Sequence, residues 1–200
     1  MKSIQIPDVI AALNRDHANI AKLLELLESE ILAIGVGKTP DYSLLQDMMR
    51  YLIEYPDQFH HPQENLIFAQ LVIRDPESRA VVDILMDEHI NISISGLNFN
   101  ILLRTSNVDS VSVRERLRIA GLAYIRALRE HMLMEEKDVF PLAMAVLTKE
   151  DWQIIDEKVN AIEDPLFGNM IAEDYQELYK LIIERAESDA VTNFHQQYLA

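Results

Sequence analysis

Four long stretches of the chain place apolar residues three and four positions apart, the pattern of helices that each bury one face. The first and third stretches show it most clearly, over about residues 7–34 and 76–104. In the first, the repeating positions are Ile10, Leu13, His17, Ile20, Leu24, Leu27 and Ile31. In the third, they are Val82, Leu85, His89, Ile92, Gly96, Phe99 and Leu103. Each apolar stripe is interrupted by one histidine, which we therefore expect to be buried.

The second and fourth stretches, at about 42–75 and 111–147, contain prolines within their helical patterns. Proline removes a backbone donor and crowds the preceding turn, so Pro56 and Pro62 are predicted to distort the second helix. Pro141 is predicted to kink the fourth helix in the same way.

Four helices with short connections predict an all-α fold, an up-down-up-down antiparallel four-helix bundle over residues 1–147. Residues 148–200 form the second predicted part, a C-terminal helical extension with a final helix at about 170–186. The extension offers apolar surface without an obvious ligand, so we expect it to serve assembly, as in a homodimer. His195 lies near its end, where we do not expect a ligand.

Composition narrows the possible functions. The chain has no cysteine, which excludes disulfides, thiolate metal sites and iron–sulfur clusters on cysteine ligands. A net charge of −15 is a poor match for nucleic acid or an anionic membrane surface. No apolar run reaches the roughly 18 residues that span a bilayer, and Asn14–His17 interrupts any signal-like segment, so we expect a cytoplasmic protein.

Two histidine–carboxylate pairs stand at positions that should face the bundle interior. His60 and Glu64 are four residues apart in the second helix, as are His131 and Glu135 in the fourth. Four residues is about one helical turn, so each pair projects from one face. An imidazole and a carboxylate are costly to bury together unless a cation lies between them.

A lone histidine precedes each pair at nearly the same distance. His17 lies 43 residues before His60, and His89 lies 42 residues before His131. The local sequences also match, Asp-His-Ala-Asn-Ile against Glu-His-Ile-Asn-Ile. We interpret this as a duplicated helical hairpin, in which each half gives one histidine from its first helix and a His-x-x-x-Glu from its second.

This ligand set predicts a metal site. Any one of these histidines is easily explained as a structural core residue, and a bundle without metal is the alternative, but the matched repeat argues against it. Nitrogen and oxygen ligands without sulfur suit iron, manganese or zinc. Two carboxylates placed to bridge favour a dinuclear centre.

The sequence resembles the hemerythrin-like HHE cation-binding family over roughly residues 7–147. The segments that carry the resemblance are Asp16–His17, Phe59–Asn65, Glu88–His89, His131–Glu136 and Phe140–Pro141. The resemblance implies two iron ions in a four-helix bundle, with manganese or zinc as possible substitutes. It further implies bridging carboxylates and terminal imidazoles from Glu64, Glu135, His17, His60, His89 and His131.

The chain departs from the oxygen-carrying hemerythrins at two positions. Those proteins carry a second histidine one turn after the third-helix ligand, where this chain has Ser93. They also take the last carboxylate five residues after the final histidine, which makes Glu136 an alternative to Glu135. His61 follows the second-helix histidine directly, so it is either a fifth imidazole ligand or a surface residue beside Pro62.

The resemblance implies a function in binding or sensing a diatomic ligand, oxygen or nitric oxide, at a di-iron centre, or in iron and redox homeostasis. The alternatives are an iron storage or delivery protein and a redox enzyme that consumes peroxide or oxygen, so enzymatic activity stays open. Family members that repair iron–sulfur centres typically carry a cysteine-containing N-terminal segment, and this sequence has no cysteine. The expected partners are metal ions and a small diatomic molecule.

Overall fold

The structure is a computed structural model that describes residues 6–35, 40–105, 110–159 and 162–185. Its chain forms two compact units, Met1–Ile162 and Glu163–Ala200. The predicted connections at 35–41 and 105–110 lie largely outside the described residues, and His195 lies outside them entirely.

Every long regular element of the described chain is an α-helix. The helices are α1 Asp8–Gly35, α2 Tyr42–Tyr55, α3 His61–Arg74, α4 Arg79–Thr105, α5 Val111–Met134, α6 Phe140–Val146 and α7 Lys149–Asp156. Helix α1 packs against α2 and α5, and α4 packs against the same two, which closes a ring of four. Consecutive helices are therefore neighbours, and the predicted all-α four-helix bundle is confirmed.

Two wide helical turns interrupt the second and fourth helices of the bundle. In Pro56–His60 the backbone N–H of His61 donates to the carbonyl of Pro56, five residues back. In Glu135–Val139 the N–H of Phe140 donates to the carbonyl of Glu135 in the same way. Each π-helical turn ends two residues before a proline, whose missing N–H and bulky ring disfavour ordinary helix there. Helices α2 and α3 thus form one distorted bundle helix, and α5 and α6 another.

The predicted inward stripes of α1 and α4 are buried at every position. Gly96 belongs to the α4 stripe, and a Cβ added there would lie 3.0 Å from the Tyr124 ring and 3.1 Å from Ile53. The glycine therefore permits close packing of α4 against α5 and α2. No helix of the described chain is both long and apolar enough to cross a membrane.

Helix α7 belongs to the first compact unit, although the predicted bundle ended at residue 147. Thr148 and Asp151 form a reciprocal cap at its start. The buried carboxylate of Asp151 also accepts hydrogen bonds from Gln70 and Arg74 of α3. These bonds fasten α7 to the bundle. The assembly role of residues 148–200 stays a prediction.

The final helix begins later than predicted. A short 3₁₀ turn covers Glu173–Tyr175, and α-helix follows over 176–185, so the predicted start at 170 is wrong. The Glu163 side chain accepts hydrogen bonds from the backbone N–H groups of Asn169 and Met170, which favours a turn there. Ala172 then has extended backbone angles.

Candidate metal centre

A cluster of histidines and glutamates lies inside the bundle, with side chains from all four bundle helices. Phe68 and Phe140, which belong to the apolar core, stack on two of its histidines. All seven side chains predicted from the sequence meet there, and each is buried: His17, His60, His61, Glu64, His89, His131 and Glu135.

The carboxylate of Glu64 divides its two oxygens between the hairpins. Its Oε1 lies 3.0 Å from Nε2 of His60 and 3.4 Å from Nε2 of His17, both in the first hairpin. Its Oε2 lies 3.3 Å from Nε2 of His89 in the second hairpin. One carboxylate therefore reaches both groups of imidazoles.

The carboxylate of Glu135 does the same from the opposite hairpin. Its Oε1 lies 3.2 Å from Nε2 of His131 and 3.6 Å from Nε2 of His89. Its Oε2 lies 3.4 Å from Nε2 of His17. Each of the two carboxylates thus contacts imidazoles of both hairpins.

His61 lies inside the cluster and not on the surface. Its ring stacks on that of His89 with centroids 4.0 Å apart and planes at 15°, and it meets His131 edge-on. The donor atoms form two groups, each spanning no more than 4.8 Å. The groups are His17, His60 and Glu64, and His61, Glu64, His89 and His131.

Acidic residues hold the outer nitrogens of two histidines in matching ways. Nδ1 of His60 lies 3.1 Å from Asp16, and Nδ1 of His131 lies 2.9 Å from Glu88. In each hairpin, the residue before the lone histidine therefore fixes the histidine of the second helix. Such partners orient metal-binding imidazoles and make them more basic. Helical spacing alone did not reveal this role, although Asp-His and Glu-His at corresponding positions were the signal for it.

Glu136 lies on the outside of the cluster. It accepts a hydrogen bond from Nδ1 of His17 at 3.0 Å, and its side chain is 43% exposed. The sequence left the choice of ligand open between Glu135 and Glu136, and Glu135 is the one that faces the interior.

Ser93 and Asp57 support the fifth imidazole. The Ser93 hydroxyl donates to Asp57 at 2.6 Å, and Asp57 lies 3.2 Å from Nδ1 of His61. Where oxygen-carrying hemerythrins have a second histidine, this chain therefore has a serine that helps to position a histidine from another helix. Sequence spacing did not reveal the role of Asp57.

Protons balance the charges of the cluster when no cation is present. Burial lowers the pKa of His60, but Glu64 and Asp16 outweigh burial and raise it to about 9. Burial also lowers the pKa of His89, whereas Glu135 and Glu64 raise it to about 9. Burial and the charge of Glu64 raise the pKa of Glu135, but the surrounding histidines lower it to about 2. Burial raises the pKa of Glu64 as well, but His60 and His17 lower it well below its usual range. At neutral pH both carboxylates thus stay ionised beside protonated imidazoles.

Several buried polar atoms of the cluster lack hydrogen-bond partners, and this fits a metal ion. Both oxygens of Glu64 and Glu135, and Nε2 of His89 and His131, are buried without a hydrogen bond of acceptable geometry. Buried polar atoms without partners are costly, and these lie close together within the cluster. A cation bound by nitrogen and oxygen would satisfy them together.

Comparison with known families agrees with this geometry. The family model of the hemerythrin HHE cation-binding domain matches residues 8–143, which include every residue of the cluster. A search of curated proteins found no match to the chain. The chain belongs to the hemerythrin HHE cation-binding domain family.

Proposed function

We propose that this chain holds two iron ions in the buried cluster and binds a diatomic molecule, oxygen or nitric oxide, at them. The observation that carries the proposal is the placement of the two carboxylates. Glu64 and Glu135 each direct one oxygen to the imidazoles of one hairpin and the other oxygen to those of the opposite hairpin. Carboxylates that reach two groups of nitrogen donors suit a pair of ions better than a single one.

The two proposed metal positions would have different numbers of imidazole ligands. His17 and His60 would hold one ion, and His61, His89 and His131 the other, with Glu64 and Glu135 shared. The first position has one imidazole fewer than the second. It therefore has more room for a small ligand from outside the protein.

Aromatic rings close the cluster to larger molecules. Phe140 stacks on His17 with ring centroids 5.7 Å apart, and Phe68 stacks on His89 at 6.0 Å. The side chains of Glu64 and Glu135 have no solvent exposure. These walls exclude bulk water and favour a small uncharged ligand over a larger substrate.

Outer hydrogen bonds prepare the imidazoles for this task. Nδ1 of His60 and of His131 is held by a carboxylate, which directs Nε2 of each ring inward. Iron at these donors would supply redox-active ions able to bind a diatomic gas. Manganese and zinc are compatible with the same donor atoms, so the metal has to be tested directly.

The test is anaerobic reconstitution with Fe(II), followed by elemental analysis and optical spectra. We expect two iron ions per chain and a spectral change on adding oxygen or nitric oxide that reverses when the gas is removed. Protein loaded with Zn(II) is the control, because zinc has no redox chemistry and should give no spectral change.

Three outcomes would contradict the proposal in different ways. Less than one iron per chain would contradict the di-iron site. An irreversible change accompanied by steady consumption of oxygen or peroxide would favour a redox enzyme. Ready release of iron to a weak chelator would favour iron storage or delivery.

A further inference from the structure

Helix α4 has a second apolar face that points away from the bundle core. Ile90, Ile94, Leu97 and Ile101 are between 49% and 59% exposed. They follow one another at spacings of four, three and four residues, the spacing by which helices pack along a seam against another helix. Single exposed apolar residues are ordinary, but four along one stripe form a continuous patch.

The patch is neutral in an acidic protein. Residues 90–103 include no charged side chain, whereas the chain as a whole carries a net charge of −15. The polar residues exposed beside the stripe are Asn91 and Asn98, one heptad apart. Two copies of this protein repel each other over most of their surface, so an uncharged face is where they can approach most easily.

The two ends of the patch carry opposite charges. Asp87 lies three residues before Ile90, and Arg104 lies three residues after Ile101, and both charged side chains are exposed. The charge therefore changes sign along the stripe, from acidic near residue 87 to basic near residue 104. A second α4 laid antiparallel on the first would bring each acidic end to a basic end.

An antiparallel pair centred between Ser95 and Gly96 matches every position of the stripe. The facing pairs are Asp87 with Arg104, Ile90 with Ile101, and Ile94 with Leu97. A parallel pair would instead bring Asp87 to Asp87 and Arg104 to Arg104. We propose that two copies of this chain form a dimer through the outer faces of α4, antiparallel about a two-fold axis.

A groove between α4 and α5 widens the proposed interface. It has a volume of about 730 Å³ and is open to solvent. Ala120, Ala123 and Ala127 of α5 line it, so small side chains leave space beside the stripe for a neighbouring helix. The groove also repeats the charge pattern, since Glu130 of α5 lies with the acidic end of α4 and Arg116 with the basic end. An antiparallel pair would bring these ends together as well.

The first test is the mass of the full-length protein in solution, measured by sedimentation equilibrium. We expect twice the mass of one chain at micromolar concentrations. Changing Ile94→Glu together with Leu97→Glu should give the mass of one chain, because four carboxylates would meet at the two-fold axis. Changing the exposed Ile73→Glu together with Ile154→Glu, on α3 and α7, is the matched control and should keep the dimer. Circular dichroism and metal content check that both variants fold.

A charge exchange tests the orientation. Asp87→Arg or Arg104→Asp alone should weaken the dimer severalfold in Kd, because like charges then face each other at both ends. The double variant Asp87→Arg with Arg104→Asp should restore the affinity. Restoration is expected only when these residues face each other across the interface.

Cross-linking gives an independent measure, because the natural chain has no cysteine. Under a mild oxidant, Ile90→Cys and Ile101→Cys variants should cross-link when mixed and not when each is alone. Cross-linking of Ile90→Cys with itself would overturn the antiparallel orientation. A protein of single-chain mass at all concentrations, or a dimer that survives the Ile94→Glu and Leu97→Glu changes, would overturn the interface itself. Loss of the dimer only on deletion of residues 163–200 would place the interface in the extension.

Discussion

The two helical hairpins supply the same kinds of residue to the candidate metal centre, but not in the same number. Each gives a histidine from its first helix, a His-x-x-x-Glu from its second, and an acidic residue that holds the second-helix imidazole. Only the first hairpin adds another histidine. Its ligand candidates are His17, His60, His61 and Glu64, against His89, His131 and Glu135 from the second.

The difference arises from two adjacent residues. Successive side chains of a helix point about 100° apart, so His60 and His61 leave the backbone in different directions. His60 contacts His17 of its own hairpin, whereas His61 stacks on His89 of the other. The first hairpin thus contributes an imidazole to the second group. A duplicated sequence can in this way give the two proposed metal positions unequal numbers of imidazoles.

The largest effect should follow removal of a carboxylate that both positions share. Glu135→Ala should abolish binding of both ions, because its two oxygens serve both groups of imidazoles. Glu136→Ala should retain both ions with weaker affinity, since Glu136 reaches only the outer nitrogen of His17. Elemental analysis after anaerobic Fe(II) loading measures the difference, with the exposed Asp138→Ala as control. Equal metal loss in the Glu135 and Glu136 variants would show that Glu135 is not the carboxylate that both positions share.

Removing single imidazoles should separate the two positions. His60→Ala leaves the first position with one imidazole, so we expect about one iron per chain. His61→Ala leaves the second position with two imidazoles, the same number as the first position has in the unchanged protein. We therefore expect the variant to bind two ions, one of them more weakly. Titration with Fe(II) under anaerobic conditions distinguishes these results. If both variants lose the same number of ions, the two positions are not unequal in the proposed sense.

Metal removal should make stability depend on pH in a specific direction. In the metal-free fold, Glu64 and Asp16 raise the pKa of His60, and Glu135 and Glu64 raise that of His89, each to about 9. The unfolded value is roughly 6.5. Their contribution to stability is therefore complete below about pH 6.5 and is lost as pH rises through about 9. The melting temperature of metal-free protein should fall over that interval.

The gap in melting temperature between loaded and metal-free protein should widen as pH rises. Metal requires neutral imidazoles, so its binding releases protons and strengthens as pH rises through the same interval. At free metal about a thousand times its Kd, binding adds about 4 kcal/mol, or roughly 10 °C in melting temperature for a chain of this size. Circular dichroism melts from pH 6 to 9, with and without metal, measure both slopes. A metal-free melting temperature that rises with pH would contradict the assignment.

Sequence periodicity predicted the bundle and the inward positions because burial of one helix face imposes spacings of three and four. It also predicted that His17, His60, His89 and His131 face inward with Glu64 and Glu135, since the repeat made each of these histidines improbable as an isolated core residue. His61 lies outside the repeat, and the sequence left it open between a ligand and a surface residue. The matching places of Asp16 and Glu88 before the lone histidines were a signal, but spacing alone gave these residues no role. It gave no signal for Asp57, because acidic residues near a helix surface are ordinary in a chain with 33 of them. The choice between Glu135 and Glu136 depended on the direction of the fourth helix at its wide turn, which spacing alone does not determine.

Replacing the acidic partners of the histidines tests whether the two hairpins are also equivalent outside the ligand residues. Asp16→Ala and Glu88→Ala each remove the carboxylate from Nδ1 of a second-helix histidine. Both should lower metal affinity by a similar factor, roughly 10–100-fold, without changing the number of ions bound. Competition with a chromophoric chelator measures the two affinities. A large effect of one variant with none of the other would show that the repeat does not extend to these partners.

The smallest effect on the centre should follow removal of the ion pair that joins α7 to the first hairpin. The described part of the second hairpin has no corresponding ion pair. Asp151 is buried and accepts hydrogen bonds from Arg74 and Gln70. The Arg74 guanidinium holds the pKa of the Asp151 carboxyl well below its usual range. Its contribution is therefore present above about pH 4 and is lost as pH falls below it. Asp151→Asn should lower the melting temperature by a few degrees at pH 7, by less near pH 3, and leave metal content unchanged. Asp156→Asn, at an exposed position of the same helix, is the control and should change neither. Loss of iron from the Asp151 variant would mean that α7 supports the metal centre and not only the first hairpin.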